Sequence, residues 1–208
     1  MKESNDLLLA DVREVNNNFT IKDATASPGP LGLSAFGVCT VLLSLINAGI
    51  IGMDSMILSM GLFYGGLTQI MVGLMERRKG NTFGLVAFTS YGIFWISFVA
   101  INVLPAMGWM APASADGMIA YLVMWCLFSI MLFVATLRLN RLLQILFATV
   151  VLLFVILIIG SATGNASITT LAGYEGIICG LVSLYAAAAF LLNEIYGRTV
   201  LPIGVLEK

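Results

Sequence analysis

The sequence predicts an all-α membrane protein with six transmembrane helices and both the N- and C-termini in the cytoplasm, and three observations predict it. Hydrophobic residues make up 60 % of the 208 residues and charged residues only 10 %, with a mean hydropathy of +1.01. A core of this size could not hide so much apolar surface, so lipid must solvate most of it. The apolar residues fall into six segments, roughly 31–53, 55–75, 82–104, 117–137, 142–161 and 173–196. At about 1.5 Å per residue, each is long enough to cross a hydrocarbon core about 30 Å thick. The third observation is the placement of the basic residues. They are confined to the N-terminal tail (Lys2, Arg13, Lys22) and to the segments after the second span (Arg77, Arg78, Lys79), the fourth (Arg138, Arg141) and the sixth (Arg198, Lys208). The segments after the first, third and fifth spans have none, which by the positive-inside rule places both termini in the cytoplasm.

Residues 1–26 are polar, include Asn16-Asn17-Asn18 and lack the apolar core of a secretory signal; a disordered cytoplasmic tail is expected there. Pro28 and Pro30 stand before the first span, where a missing N–H costs little. That span carries a polar stripe of Thr40, Ser44 and Asn47. The second combines Ser59, Thr68 and Gln69 with small residues at packing spacing, Gly61 with Gly65 and Gly66, and the third adds Ser90 and Ser97. The first five spans contain no charge, as expected when a charge at the centre of a span costs about 2.5 to 3.5 kcal/mol on insertion scales. The sixth has Glu175 and Glu194 near its expected ends, Gly176 with Gly180, the run Ala186 to Ala189, and Ser183 and Asn193. The small residues read as close helix contacts. The outer connections carry Asp54, Pro105, Pro112, Asp116 and the turn stretch Gly164-Asn165-Ala166-Ser167. No strand alternation suggests a barrel.

Composition also narrows function. A formal net charge of -1 with no basic face argues against a nucleic-acid partner. Histidine is absent, and Cys39, Cys126 and Cys179 lie apart in apolar stretches, so neither a metal site nor a cofactor is expected. No span supplies a nucleophile with a base, so an enzyme is not expected. Nor is there a buried lysine for a Schiff base, an arginine ladder or a Walker loop. What survives is a passive or ion-coupled conduit for a small solute, with a urea or short-amide channel as one alternative and a structural bundle as another. The hydroxyls and amides of the stripes could line a narrow path, or could simply bond across the bundle.

Specific strings go further. Ser27-Pro28-Gly29-Pro30-Leu31-Gly32-Leu33, followed by Phe36-Gly37, resembles the Asn-Pro-Ala-Pro-Leu-Gly-Leu signature of the succinate-acetate permease (acetate uptake transporter) family. Met60-Gly61-Leu62-Phe63-Tyr64-Gly65-Gly66 with Gln69, Lys79-Gly80-Asn81-Thr82-Phe83-Gly84, Ala87-Phe88-Thr89-Ser90-Tyr91-Gly92 with Phe94-Trp95, and Leu192-Asn193-Glu194 with Gly197-Arg198-Thr199-Val200-Leu201-Pro202 are similar to the same family, in the same order. The resemblance implies a six-helix membrane domain over 27–204, a C-terminal tail over 205–208, and assembly into a homohexamer in the plasma membrane. It implies permeation of acetate and related short carboxylates such as succinate, formate, propionate and lactate through a pore in each protomer. It also implies a constriction at Phe36, Tyr91 and Val150. Thr40, Ser44, Asn47, Gln69, Thr89 and Ser183 are expected along the substrate path, and Pro28, Pro30, Leu31, Gly32 and Leu33 form the signature that begins the first helix.

Four positions depart from the family pattern: Ser27 for asparagine, Gly29 for alanine, Val150 for leucine and Ser183 for alanine. An apolar ring suits a monocarboxylate, because it thins the hydration that inorganic ions keep while a methyl group can contact aromatic faces. Helix N-termini, Thr40 or the Tyr91 hydroxyl could then compensate the carboxylate in part. The spacing of Glu194 and Arg198, four residues apart, predicts a structural ion pair on one helix face.

Overall fold

The computed structural model describes residues 25–206, so nearly all of the expected tail at 1–26, and residues 207–208 of the C-terminal tail, lie outside the described part. Among the described residues, six helices are long and apolar enough to cross a membrane: α1 (Gly29–Asn47), α2 (Ser55–Arg78), α3 (Thr82–Ala106), α4 (Ala115–Thr136), α5 (Arg141–Thr163) and α6 (Ala166–Tyr196).

Short polar side chains set most of the helix starts. Asp54 accepts a bond from the Met56 N–H, Asn81 from Gly84, Ser114 from Gly117, Asn140 from Leu143 and Asn165 from Ser167. Each satisfies an N–H that the first turn leaves without a partner. At α1 a proline does related work: Pro28 sits at the N-cap and Pro30 in the first turn, where its fixed φ is already helical. Gly164 and Gly197 close α5 and α6 in the left-handed region, at φ 62° and 61°, as glycine can without strain.

Two helix boundaries differ by more than three residues from those expected. α1 stops at Asn47, six residues early, because the chain turns at Gly49 with φ 74° and the N–H of Ile50 folds back to the Leu45 carbonyl at 2.9 Å. α6 begins seven residues early, since Gly164 ends α5 and Asn165 at once caps the next helix. Glu175, read as end-lying, is therefore ten residues into a helix of 31. Pro105, read as part of an outer connection, lies in the last turn of α3.

α2 is not uniformly α-helical. Gly61–Thr68 is a π-helical stretch, flanked by α-helix at Ser55–Met60 and Gln69–Arg78. Its glycines leave room for α3: a Cβ on Gly65 would lie 2.7 Å from the Trp95 ring, and one on Gly66 2.7 Å from Ile96. Wide turns of this kind collect at functional sites.

α1 packs most extensively on α6, and both helices thin to backbone there: a Cβ on Gly37 would stand 2.8 Å from the Gly180 carbonyl oxygen. From that pair the helices run round a ring, α6 against α5 and α5 against α4 on one side, α1 against α2 and α2 against α3 on the other. Between α3 and α4 the ring closes mainly through aromatic side chains. Past α6 the chain returns to the start of α5, where the Arg141 and Leu142 N–H groups donate to the carbonyls of Gly204 and Ile203 at 2.8 and 3.1 Å. Glu194 and Arg198 form no ion pair, since the helix ends at Gly197 and the Glu194 carboxylate instead accepts the Ser27 N–H at 3.3 Å.

Candidate functional site

A cavity of about 180 Å³ opens between α1, α2, α3, α5 and α6 at the end of the ring that carries Arg77, Arg78, Arg138 and Arg141. Its walls are mostly apolar: Pro30 and Leu33 of α1, Phe83, Ala87 and Phe88 of α3, Leu143, Leu146 and Phe147 of α5, and Phe190 of α6. Spacings of three and four residues along each helix put these side chains on one face.

The floor is aromatic. Phe36 and Tyr91 meet with ring centroids 5.5 Å apart at 57°, Phe147 lies 6.2 Å from Tyr91, and Val150 completes the lining with 2 % exposure. The three residues that the resemblance marked as a constriction thus line one cavity together. Below them a second aromatic tier fills the bundle, with Phe94 5.2 Å from Trp125 and 5.8 Å from Phe154. Tilted and edge-on rings pack well because each sets a positive edge against a negative face.

The Tyr91 hydroxyl is already committed. Ser129 gives its single proton to the Trp125 carbonyl at 2.7 Å, so across the 2.8 Å contact Tyr91 donates and Ser129 accepts. It is therefore not a free donor for an anion. What it does is fix the ring's height and tilt in the floor.

Polar groups gather at the cavity's wall and mouth. Gln69, 1 % exposed, donates from Nε2 to the Gly32 carbonyl at 3.3 Å, while its Oε1 has no partner among the described residues. Glu76, 4 % exposed, accepts from Asn81 Nδ2 at 2.8 Å. The same Asn81 presents its Oδ1 to the Gly84 N–H at 3.0 Å, so one amide caps α3 and orients the carboxylate. Gly84 leaves the space for this, since a Cβ there would fall 2.8 Å from Glu76 Cγ.

The remaining expected residues are placed elsewhere. Thr40, Ser44, Asn47, Thr89 and Ser183 do not line this cavity. Ser183 is fully buried and donates to the Leu33 carbonyl at 2.8 Å, tying α6 to α1. Ser44 packs against Gly176, and Thr89 against Gly73. In the signature, Pro30 and Leu33 face the cavity, Leu31 is 44 % exposed, and Gly32 makes room for Val72 and Phe88, a Cβ there falling 2.8 Å from Val72. Phe147, Phe94, Trp125, Ser129, Glu76 and Asn81 were not singled out from the sequence as site residues. Their helical spacing carried a signal: Phe147, Val150 and Phe154 share one face of α5, as Tyr121, Trp125 and Ser129 share one face of α4.

Comparison with known proteins places this architecture. A protein of Methanothermobacter thermautotrophicus is 50 % identical over 189 residues, covering 88 % of this chain and 93 % of that protein. The succinate-acetate/proton symporter SatP of Escherichia coli (strain K12) is 49 % identical over 179 residues, covering 86 % of this chain and 95 % of SatP. A solved structure of the bacterial acetate channel SatP superimposes with a TM-score of 0.85 at 49 % identity, covering 86 % of this chain and 99 % of that one. A family model matches residues 14–206, and on that match and these identities the chain belongs to the GPR1/FUN34/yaaH family.

Proposed function

We propose that this protein passes acetate and related short carboxylates across the plasma membrane by a path in each protomer, narrowed at Phe36, Tyr91 and Val150. The observation that carries the reading is the cavity itself, a largely apolar pocket of about 180 Å³ ending on those three side chains. A space of that size suits a solute of a few heavy atoms. The floor stops the hydrated ions that a wider polar pore would admit. The relatives point the same way, since SatP is named both as a succinate-acetate/proton symporter and as an acetate channel.

Several features belong to the same proposal. The basic residues Arg77, Arg78, Arg138 and Arg141 lie at the same end of the helix ring as the cavity, and by the positive-inside rule that end faces the cytoplasm together with both termini. Residues 27–204 act as one membrane domain, and six protomers form a ring with independent paths. Thr40, Ser44, Asn47, Thr89 and Ser183 support the helices that shape the path, while Gln69 alone of the expected polar residues meets the solute in the cavity. Val150, shorter than the leucine of the family pattern, leaves a wider neck that admits lactate as well as acetate.

Counterflow of labelled acetate and labelled urea into vesicles holding the purified protein tests the reading. Acetate should accumulate faster than into protein-free vesicles, with urea at background. Urea flux without acetate flux would make this a short-amide channel, and flux of neither would make it a structural bundle.

A further inference from the structure

We infer that Glu76 is the proton-exchanging group of this path, at which a carboxylate substrate gains or gives up the proton that lets it cross the aromatic floor as a neutral acid. The inference rests on the carboxylate reading above and names the residue that would serve it.

The cavity mouth poses an electrostatic problem. Among the described residues that line the cavity, Glu76 carries the only formal charge, and it is negative. An anionic substrate held there stands beside a second carboxylate in a small space with apolar walls. Two carboxylates in such a site are stable with one proton between them, because like charges cannot both stay ionised at close range. The geometry allows the sharing. Asn81 Nδ2 engages Oε2 of Glu76 at 2.8 Å, while Oε1 lies beside Gly29, 3.4 Å from where a Cβ would be. The unpartnered Oε1 of Gln69, in the same cavity wall, can accept a bond from a protonated acid on its way to the floor.

The groups around Glu76 are few. Lys79, on the turn that leaves α2, is the cation that acts on it. α3 presents Asn81 and Gly84, and α1 presents Gly29, none of them ionisable. At the neighbouring mouth residue Ser27, Glu194 of α6 accepts the backbone N–H. On α5, Arg141 donates to Gln144 at 2.9 Å.

The step balances without a further reactant. The Glu76 carboxylate first takes a proton from a hydronium ion at the basic end, leaving water. As the substrate anion reaches the cavity, the O–H bond of that carboxyl breaks, the O–H bond of the acid forms, and Glu76 is a carboxylate again. In the opposite direction the acid protonates Glu76, which releases the proton to the same water. The floor at Phe36, Tyr91 and Val150 is met only by a neutral molecule, for which an apolar constriction is a small barrier.

The test is acetate counterflow in vesicles at about pH 5 and about pH 7.5, with protein-free vesicles subtracted. At the lower value much of the substrate is already neutral, so Glu76→Gln should stay within about twofold of wild type. At the higher value the anion must collect its proton in the cavity, so Glu76→Gln should fall at least about tenfold. Glu76→Asp, which keeps a carboxyl, should retain the wild-type ratio between the two conditions. Equal flux for wild type and Glu76→Gln at the higher pH overturns the inference. So does a Glu76→Gln loss by the same factor at both values, the mark of a merely structural carboxylate. A wild type no faster than protein-free vesicles at either pH overturns the carboxylate reading and this inference together.

Discussion

Tyr91 of α3 donates its hydroxyl proton to Ser129 of α4 across 2.8 Å, at the place where the helix ring is joined mainly by side chains. The bond is buried, and it holds in place the ring that stacks on Trp125 and meets Phe36 at a tilt. Ser129→Ala leaves that hydroxyl with a donor and no acceptor, which should cost about 1–3 kcal/mol. Tyr91→Phe in the same protein removes the stranded group and should restore part of the loss. Thermal unfolding of the two single variants and the double variant in detergent measures the coupling. Additive losses would show that the bond does not hold the ring.

On the proposed path, Val150 is the residue that sets the width of the neck. Val150→Leu restores the side chain of the family pattern and should lower lactate flux several-fold while changing acetate flux by less than about twofold, since one methylene in an apolar pocket discriminates by about 1–3 kcal/mol at most. Competition of unlabelled lactate against labelled acetate in vesicles reads the ratio.

The bond from Ser183 to the Leu33 carbonyl ties α6 to α1 beside the glycine contact of Gly37 with Gly180. Ser183→Ala should lower stability by about 0.5–1.5 kcal/mol and leave the acetate-to-lactate ratio unchanged, as measured by unfolding and by flux on one preparation. A changed ratio with unchanged stability would place Ser183 in the solute's way.

Gly65 accommodates the Trp95 ring against the π-helical stretch of α2. A side chain there must displace a fully buried indole, so Gly65→Val should cost about 1–3 kcal/mol or more through overpacking. The corresponding change at Gly80, where nothing lies within 4 Å of a Cβ, meets no such clash, although its φ of 68° adds backbone strain. Comparing unfolding temperatures of the two variants separates crowding from strain.

The spans were legible because lipid imposes a single demand, a long apolar helix, and charge placement follows it. The glycine contacts were legible too, since Gly61, Gly65, Gly176 and Gly180 recur at spacings that bring helices together. Asn47 and Ala166 as helix ends were not, because apolar character continues past Asn47 and Gly49 breaks the helix by conformation. Asn165 likewise looks like loop chemistry until its cap is seen. The π-helical stretch has no periodic signature of its own. At the cavity, the side of each helix that Phe36, Tyr91 and Val150 occupy follows from periodicity, but their convergence depends on how the helices pair. Glu76 is legible in the sequence as an acid at the end of the second span, but not as a cavity residue, because a carboxylate there ordinarily faces solvent. Asn81, five residues on, is what turns it inward.

The central claim, that solute passes between Phe36, Tyr91 and Val150, is most directly tested by labelled-acetate counterflow into vesicles holding equal amounts of wild-type, Val150→Phe and Phe36→Ala protein. Val150→Phe adds a ring to a floor already lined by three and should cut flux at least about tenfold, whereas Phe36→Ala should raise it or widen the range of carboxylates carried. Wild-type acetate flux in both variants would contradict the account and place the path elsewhere in the protein.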